Sequence, residues 1–192
     1  MGREFELKYR ATEEILKAVE EKFGEFTPIS METTYFDTPD QTLAARHITL
    51  RRRMENGVSV CTVKTPLADG SRGEWEIHWQ EMQTMVAQLM AAGAPEELGK
   101  LTQGGIMPVC GAKFTRLAKS LTLESCEVEL ALDRGVLTGG GREEALCELE
   151  VELKSGDDAG VEAFAKSLAA EFGLQMESRS KFKRAQALAK GE

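Results

Sequence analysis

Histidine is nearly missing from this chain. Its 192 residues include two, His47 and His78, too far apart to suggest a zinc site, so any bound metal is expected to sit on oxygen ligands. No C-x-x-C pair occurs among Cys61, Cys110, Cys126 and Cys147. Cys126 and Cys147 fall on apolar strand faces and read as buried thiols of a reducing compartment. No basic start leads into an apolar run, and no stretch approaches the roughly 18 apolar residues of a membrane span, so a cytoplasmic protein with no membrane partner is expected. Positive charge is not in excess either. The formal net charge is −8, which argues against nucleic acid or an anionic surface as partner and requires any anion site to be a local cluster of Lys and Arg. Repeats of fixed period, low-complexity tracts and linkers are also lacking, which points to a single domain over 1–192. With 42% apolar and 29% charged residues, the balance is that of an ordinary globular chain.

What is present is alternation. Glu4, Glu6 and Lys8 alternate with Phe5 and Leu7, so an extended strand puts the ionic side chains on one face and the apolar ones on the other. The spacing recurs in Glu74 and Glu76, in Glu127 and Glu129, and in Glu148, Glu150 and Glu152. Arg51 and Arg53 repeat it with positive charge. The segments about Arg3 to Arg10, Glu32 to Thr38, His47 to Met54, Val58 to Thr65, Arg72 to Gln80, Ala112 to Leu123, Cys126 to Asp133 and Leu146 to Lys154 read as strands. Glu55-Asn56-Gly57 is a hairpin signal, and Gly135 through Gly139-Gly140-Gly141 reads as a glycine-rich turn. Helices are expected at Glu13 to Phe23 behind a Thr12 cap, at Glu81 to Ala92, at Ala159 to Phe172 and at Phe182 to Ala189, with a turn at Glu96 to Leu101. The fold class is therefore α+β, and eight antiparallel strands suffice for a β-barrel.

The face that carries Glu4, Glu6, Lys8, Arg51, Arg53, Lys64, Arg72, Glu74, Glu76, Arg116, Glu127, Glu129, Asp133, Glu148, Glu150 and Glu152 is almost purely ionic. The opposite face (Phe5, Leu7, Tyr9, Val63, Trp75, Val128, Leu130, Leu149, Val151) must be covered, and amphipathic helices are available to cover it. Two architectures fit: an open sheet with one wet face, or a barrel whose charged faces enclose a hydrated tunnel. The second needs relief from carboxylate repulsion, which water, Arg and Lys neighbours or divalent cations can supply. A carboxylate-rich wall beside a guanidinium-rich one suits Mg²⁺ or Mn²⁺ bridging to phosphate oxygens.

These residues, in order, resemble a known family. Glu4-x-Glu6-x-Lys8 is similar to the opening signature of the CYTH, or triphosphate tunnel metalloenzyme, superfamily. Tyr35-Phe36-Asp37-Thr38, Leu50-Arg51-Arg52-Arg53, Thr62-Val63-Lys64, Arg72-Gly73-Glu74-Trp75-Glu76, Arg116, Glu127-Val128-Glu129, Glu148-Leu149-Glu150-Val151-Glu152 and Ser180-Lys181 follow. The chain looks most like the catalytic domain of bacterial inorganic triphosphatases and is too short to add the helical CHAD domain that some of them carry. The resemblance implies a closed eight-stranded tunnel with helices outside, and dependence on Mg²⁺ or Mn²⁺. It also implies hydrolysis of a small-molecule triphosphate, with inorganic triphosphate preferred, by a monomer or homodimer. Adenylyl cyclisation, thiamine or nucleoside triphosphate hydrolysis, and polyphosphate binding without turnover are the alternatives.

Carried over by position, the resemblance assigns phosphate binding to Lys8, Arg51, Arg53, Lys64, Arg116 and Lys181, with Arg72 as a further member. Glu4, Glu6, Glu148 and Glu150 would hold metal. Glu4, Glu6, Lys8 and Lys64 would act most directly in catalysis, and Glu74, Glu76, Glu127, Glu129 and Glu152 would support them. One departure stands out: Phe114 occupies the position two before Arg116, where some members carry a basic residue, and Lys113 points to the other face. Arg10, Arg52 and Lys154 read as surface charges, and Trp75 and Trp79 as packing.

Overall fold

The computed structural model describes residues 2–3, 5–67 and 72–192, with backbone only at Gly2 and Arg3. Glu4, a residue expected to be catalytic and metal-binding, lies outside the described residues. In chain order the elements are β1 (Gly2–Arg3), β2 (Glu6–Arg10), α1 (Glu13–Phe23), β3 (Thr27–Asp37), α2 (Thr42–Ala45), β4 (Thr49–Glu55), β5 (Val58–Pro66) and β6 (Arg72–His78). A 3-10 turn (Met82–Thr84) leads into α3 (Met85–Ala91) and α4 (Glu97–Leu101). Then come β7 (Met107–Thr122), β8 (Cys126–Gly139), β9 (Arg142–Gly156), α5 (Asp158–Phe172), β10 (Gln175–Met176) and α6 (Lys181–Lys190). Apart from the two-residue β1 and β10, eight strands carry the sheet, as the alternation predicts.

All pairings are antiparallel, in the order β1-β6-β5-β4-β3-β7-β8-β9-β2-β10. The order ends on β1 at one side and on β10, beyond β2, at the other. Gly2 pairs with Glu74 on β6, and Glu6 pairs with Glu152 on β9. The N-terminal segment thus joins strands near opposite margins of the sheet, as a sheet curled into a barrel requires.

Apolar side chains face outward under helices. Tyr9, Val128, Leu130, Leu132, Leu149 and Val151 pack with Leu16 and Val19 of α1 and Val161, Ala165 and Leu168 of α5. Leu50, Cys61, Val63 and Trp75 pack with Leu43, Met85, Leu89 and Leu98 of the smaller helices. Each outer cluster removes enough apolar surface from water to hold its helices in place, at roughly 25 cal/mol per Å². Trp75, 6% exposed, is packing, as expected.

The C-terminal helix behaves differently. Ser180 caps α6 by accepting from the Lys183 amide at 3.2 Å. The helix then packs on the inner face, with Ala185 and Leu188 against Met31, Ala112, Phe114, Leu137 and Leu146. Contact is close at Gly139, where a Cβ would come within 2.3 Å of the Ala185 carbonyl oxygen. Asp37 anchors the loop before α2, accepting from the amides of Thr38 (2.7 Å), Leu43 (2.9 Å) and Ala44 (3.0 Å).

Several sequence boundaries are corrected. β3 begins at Thr27 rather than Glu32, β7 at Met107 rather than Ala112, and β9 at Arg142 rather than Leu146, and the helix expected from Glu81 begins at Met85 behind a 3-10 turn. Gly135 lies inside β8 rather than opening a turn. It is small because a Cβ there would meet the Lys113 carbonyl oxygen at 2.1 Å.

Candidate active site

The ionic faces enclose a cavity of about 570 Å³. Its described lining carries eight basic residues (Lys8, Arg51, Arg53, Lys64, Arg72, Arg116, Lys154, Lys181) and seven acidic ones (Glu6, Glu55, Glu74, Glu76, Glu129, Glu150, Glu152). The inside of the barrel is thus close to neutral in a chain of net −8. The charges are not evenly matched along the wall, however, and that unevenness decides what the cavity can bind.

On one side lies a closed ionic network. Arg116 donates to both oxygens of Asp133 at 2.8 Å and also to Glu150. The Lys181 ammonium lies 2.9 Å from Asp133, 2.6 Å from Glu148 and 2.6 Å from Glu150, and over the Phe114 ring. Arg184 donates to Glu148 and to Glu144. Asp133, Glu148 and Glu150 therefore balance Arg116, Lys181 and Arg184, all six buried. Burial alone would lower the pKa of Arg116 and Lys181, but the surrounding carboxylates raise both. Burial would raise Glu150, but Lys181, Arg116 and Lys8 hold it well below the carboxylate range. The trio Asp133, Glu148 and Glu150 brings ligand atoms within 4.8 Å of one another, a spacing a cation could use, and the Lys181 ammonium stands among them.

On the other side, formed by β4, β5 and β6, the arginines have few ionic partners among the described residues. Arg53 is buried, and its contacts are Thr33 Oγ1 at 3.2 Å and Glu55 at 3.4 Å. Burial, with Arg51 alongside, pushes its pKa down to about 10. Arg51 comes no nearer than 3.8 Å to Glu74, and Lys64 lies 3.4 Å from the same carboxylate. Arg72 donates to Thr49 at 2.8 Å. The Nε atoms of Arg51 and Arg72 are buried without a hydrogen-bond partner among the described residues. A buried donor left unmade costs about 1–3 kcal/mol, so an added acceptor here would be favoured. Tyr35, cross-strand partner of Arg51, lines the same region and packs on Phe182 in a tilted arrangement, ring centroids 5.1 Å apart.

Opposite them is an acidic row. Glu129 on β8 pairs in register with Glu152 on β9, and Glu152 with Glu6 on β2. Lys154 lies 2.9 Å from Glu152 and 3.8 Å from Glu129. Lys8 donates to Glu6 at 3.1 Å. Burial works to lower Lys8, but Glu6 and Glu150 raise it above its usual value. Three carboxylates thus stand in register across β8, β9 and β2.

Most residues selected from the sequence meet in this cavity: Glu6, Lys8, Arg51, Arg53, Lys64, Arg72, Glu74, Glu76, Arg116, Glu129, Glu150, Glu152 and Lys181 all line it. Two do not. Glu148 is fully buried behind the wall, between Arg184 and Lys181, so the pair of β9 carboxylates facing the cavity is Glu150 and Glu152 rather than Glu148 and Glu150. Glu127 is exposed at the strand end beside a register shift, where its carboxylate accepts from the Ser155 hydroxyl at 3.1 Å. Lys154, read as a surface charge, is exposed and also borders the cavity. Arg184 was missed. Its signal was available, since it sits three residues after Lys181 and so shares a helix face with it.

An antiparallel barrel with helices outside and a near-neutral ionic bore inside belongs to the tunnel class of folds, not to the aliphatic-cored barrels. The sequence matches the CYTH domain family over residues 2–185. The chain belongs to the CYTH family. It is 30% identical to an inorganic triphosphatase of Haemophilus influenzae over 96% of this chain and 54% of that protein, so it spans about half the relative's length. Among solved structures, a Pyrococcus horikoshii protein superposes with a TM-score of 0.67 at 24% identity, covering 98% of this chain and 99% of that one. A putative adenylyl cyclase from Hippeastrum, described as revealing a dominant triphosphatase activity, gives 0.65 at 18% identity, covering 98% and 96%. At these identities the structural likenesses show the fold. No described helix is long and apolar enough to cross a membrane.

Proposed function

We propose that the cavity binds a triphosphate together with Mg²⁺ or Mn²⁺ and hydrolyses its terminal phosphoanhydride, giving diphosphate and phosphate. The observation that carries this reading is the contrast between the two sets of cations. Arg116 and Lys181 are saturated by buried carboxylates, whereas Arg53 is buried with Thr33 and Glu55 as its contacts and the half-buried Arg51 and Arg72 each hold a Nε with no hydrogen-bond partner among the described residues. Guanidinium groups in this state match the paired oxygens of a phosphate chain.

In this reading Arg51, Arg53, Lys64 and Arg72 grip the chain from the β4–β6 side. Lys8, held protonated between Glu6 and Glu150, and Lys181 from the helix side neutralise charge that spreads onto the phosphoryl oxygens as the bond breaks. Asp133, Glu148 and Glu150 are the described carboxylates whose ligand atoms come within 4.8 Å of one another, but the Lys181 ammonium stands among them. The carboxylates that would take a divalent cation arriving with the substrate are therefore those lining the cavity at Glu6, Glu129 and Glu152. When bound, the cation supplies charge neutralisation across neighbouring phosphate oxygens. Glu74 keeps Arg51 and Lys64 oriented, and a carboxylate of the acidic row orients the attacking water. Catalysis then consists of positioning and electrostatic stabilisation rather than covalent chemistry.

The bare anion is favoured over a nucleotide because the aromatic rings of the described lining, Tyr35 and Phe182, pack against each other as a tilted pair rather than standing apart as a slot for a base. The relative from Haemophilus influenzae supports the same preference. The test is phosphate release from inorganic triphosphate, ATP and thiamine triphosphate, side by side, with Mg²⁺ and with Mn²⁺. Inorganic triphosphate should be turned over fastest, and Glu6→Ala should abolish that turnover. Cyclic AMP from ATP would replace hydrolysis with cyclisation, and tight triphosphate binding without phosphate release would replace it with a binding module.

A further inference from the structure

We propose that Glu148 and Arg184 are positioning residues for Lys181, setting where its ammonium meets the phosphate chain, and that Glu148 is not a metal ligand. The inference rests on the triphosphate reading of the cavity and deepens it. Three observations carry it. Glu148 is fully buried and absent from the cavity wall. Its two oxygens face two cations: Oε1 accepts from Arg184, and Oε2, which makes no hydrogen bond among the described residues, lies 2.6 Å from Lys181 Nζ as an ion pair. Arg184 is itself fixed from a second direction by Glu144, at 3.1 Å from Nε and 2.6 Å from Nη2.

The chain of contacts from Glu144 to Arg184, Glu148 and Lys181 therefore ends on a group that does line the cavity. Lys181 is a flexible side chain with three donors, and it is fixed by three carboxylates rather than one. Removing Glu148 leaves Asp133 and Glu150, which pull the ammonium toward Arg116. A pure field effect predicts the opposite outcome. Deleting a negative charge beside an anion site should tighten anion binding, whereas a positioning role predicts that binding weakens. The sign of the change separates the two.

The experiment is calorimetric titration of wild type, Glu148→Gln and Arg184→Lys with inorganic triphosphate in chelator, and with Mn²⁺ alone, after thermal unfolding confirms each fold. Both variants should raise the triphosphate Kd about tenfold, the size expected when one charge-assisted hydrogen bond is lost. The Mn²⁺ Kd should stay within about twofold of wild type. Arg184→Lys keeps the charge and loses the planar fork, so it carries the test even if Glu148→Gln does not fold. A tenfold weaker Mn²⁺ Kd in Glu148→Gln, or a triphosphate Kd unchanged or lower in the folded variants, overturns the proposal. A wild-type protein that binds triphosphate and releases no phosphate overturns hydrolysis alone, and one that binds none overturns both.

Discussion

Replacing Arg53 by methionine should make the ligand-free protein more stable while destroying its grip on triphosphate. Arg53 is 8% exposed, so solvent does little to screen it. Burial and the Arg51 guanidinium push its pKa down from the usual arginine value to about 10. At about 1.4 kcal/mol for each tenfold in the ionisation equilibrium, that fall corresponds to about 3 kcal/mol against the charged, folded form. For a base whose folded pKa is depressed, the cost is complete below about pH 10 and fades as pH rises toward the usual arginine value, so at neutral pH it is fully present. Methionine keeps most of the aliphatic stem but forfeits the hydrogen bond to Thr33, worth about 1 kcal/mol. The net gain is then about 1–2 kcal/mol, or a thermal midpoint about 2–8 °C higher for a chain of this size. Differential scanning calorimetry of both proteins, with and without triphosphate, reads the two effects together. Wild type should gain stability from the ligand by mass action, and the variant should gain little. A variant that melts below wild type yet keeps the full triphosphate-induced rise would refute the view that Arg53 is held strained for an anion.

The saturated side of the cavity should respond in the opposite sense. Asp133→Ala strands Arg116 and Lys181 with one carboxylate fewer in a fully buried setting, and chemical denaturation should show a loss of about 3–5 kcal/mol. A loss under about 1 kcal/mol would mean the network is not structural. Burial works to raise Glu177, but bonds from the Arg179 amide and the Arg10 and Arg179 side chains bring it down to about 2. Its stabilisation is complete above pH 4.5 and disappears as pH falls toward 2. It is worth about 1–2 kcal/mol after discounting for the half-exposed arginines. Acid unfolding of Glu177→Gln should be correspondingly less steep over that window than that of wild type, and identical profiles would remove Glu177 from the account.

Alternation made the faces legible but not the depths. Glu13 to Phe23, capped where Thr12 accepts from the Ile15 amide at 3.3 Å, is found where its periodicity places it. So is the hairpin at Asn56-Gly57, with φ of 48° and 85°. The ionic face lies inside because amphipathic helices cover the apolar one. Glu148, Glu150 and Glu152 are indistinguishable by spacing, and only the placement of α6 on the inner face decides that Glu148 serves Lys181 while Glu152 meets the cavity. Gly135 misled because the same residue type serves turns and close strand contacts alike. The early start of β3 was hidden by Pro28, which weakens a strand reading. Arg184 escaped notice because charge at the end of a chain ordinarily means solvent, and here it means a plug.

The near-cancellation of charge inside the barrel bears on how a polyanion arrives. A bore with eight basic and seven acidic described residues, set in a protein of net −8, offers no long-range pull on an anion. Encounter is then unsteered or mildly opposed, and added salt, which screens that opposition, should not slow it. Selectivity on this surface comes from contact at the arginines after arrival, not from attraction at a distance.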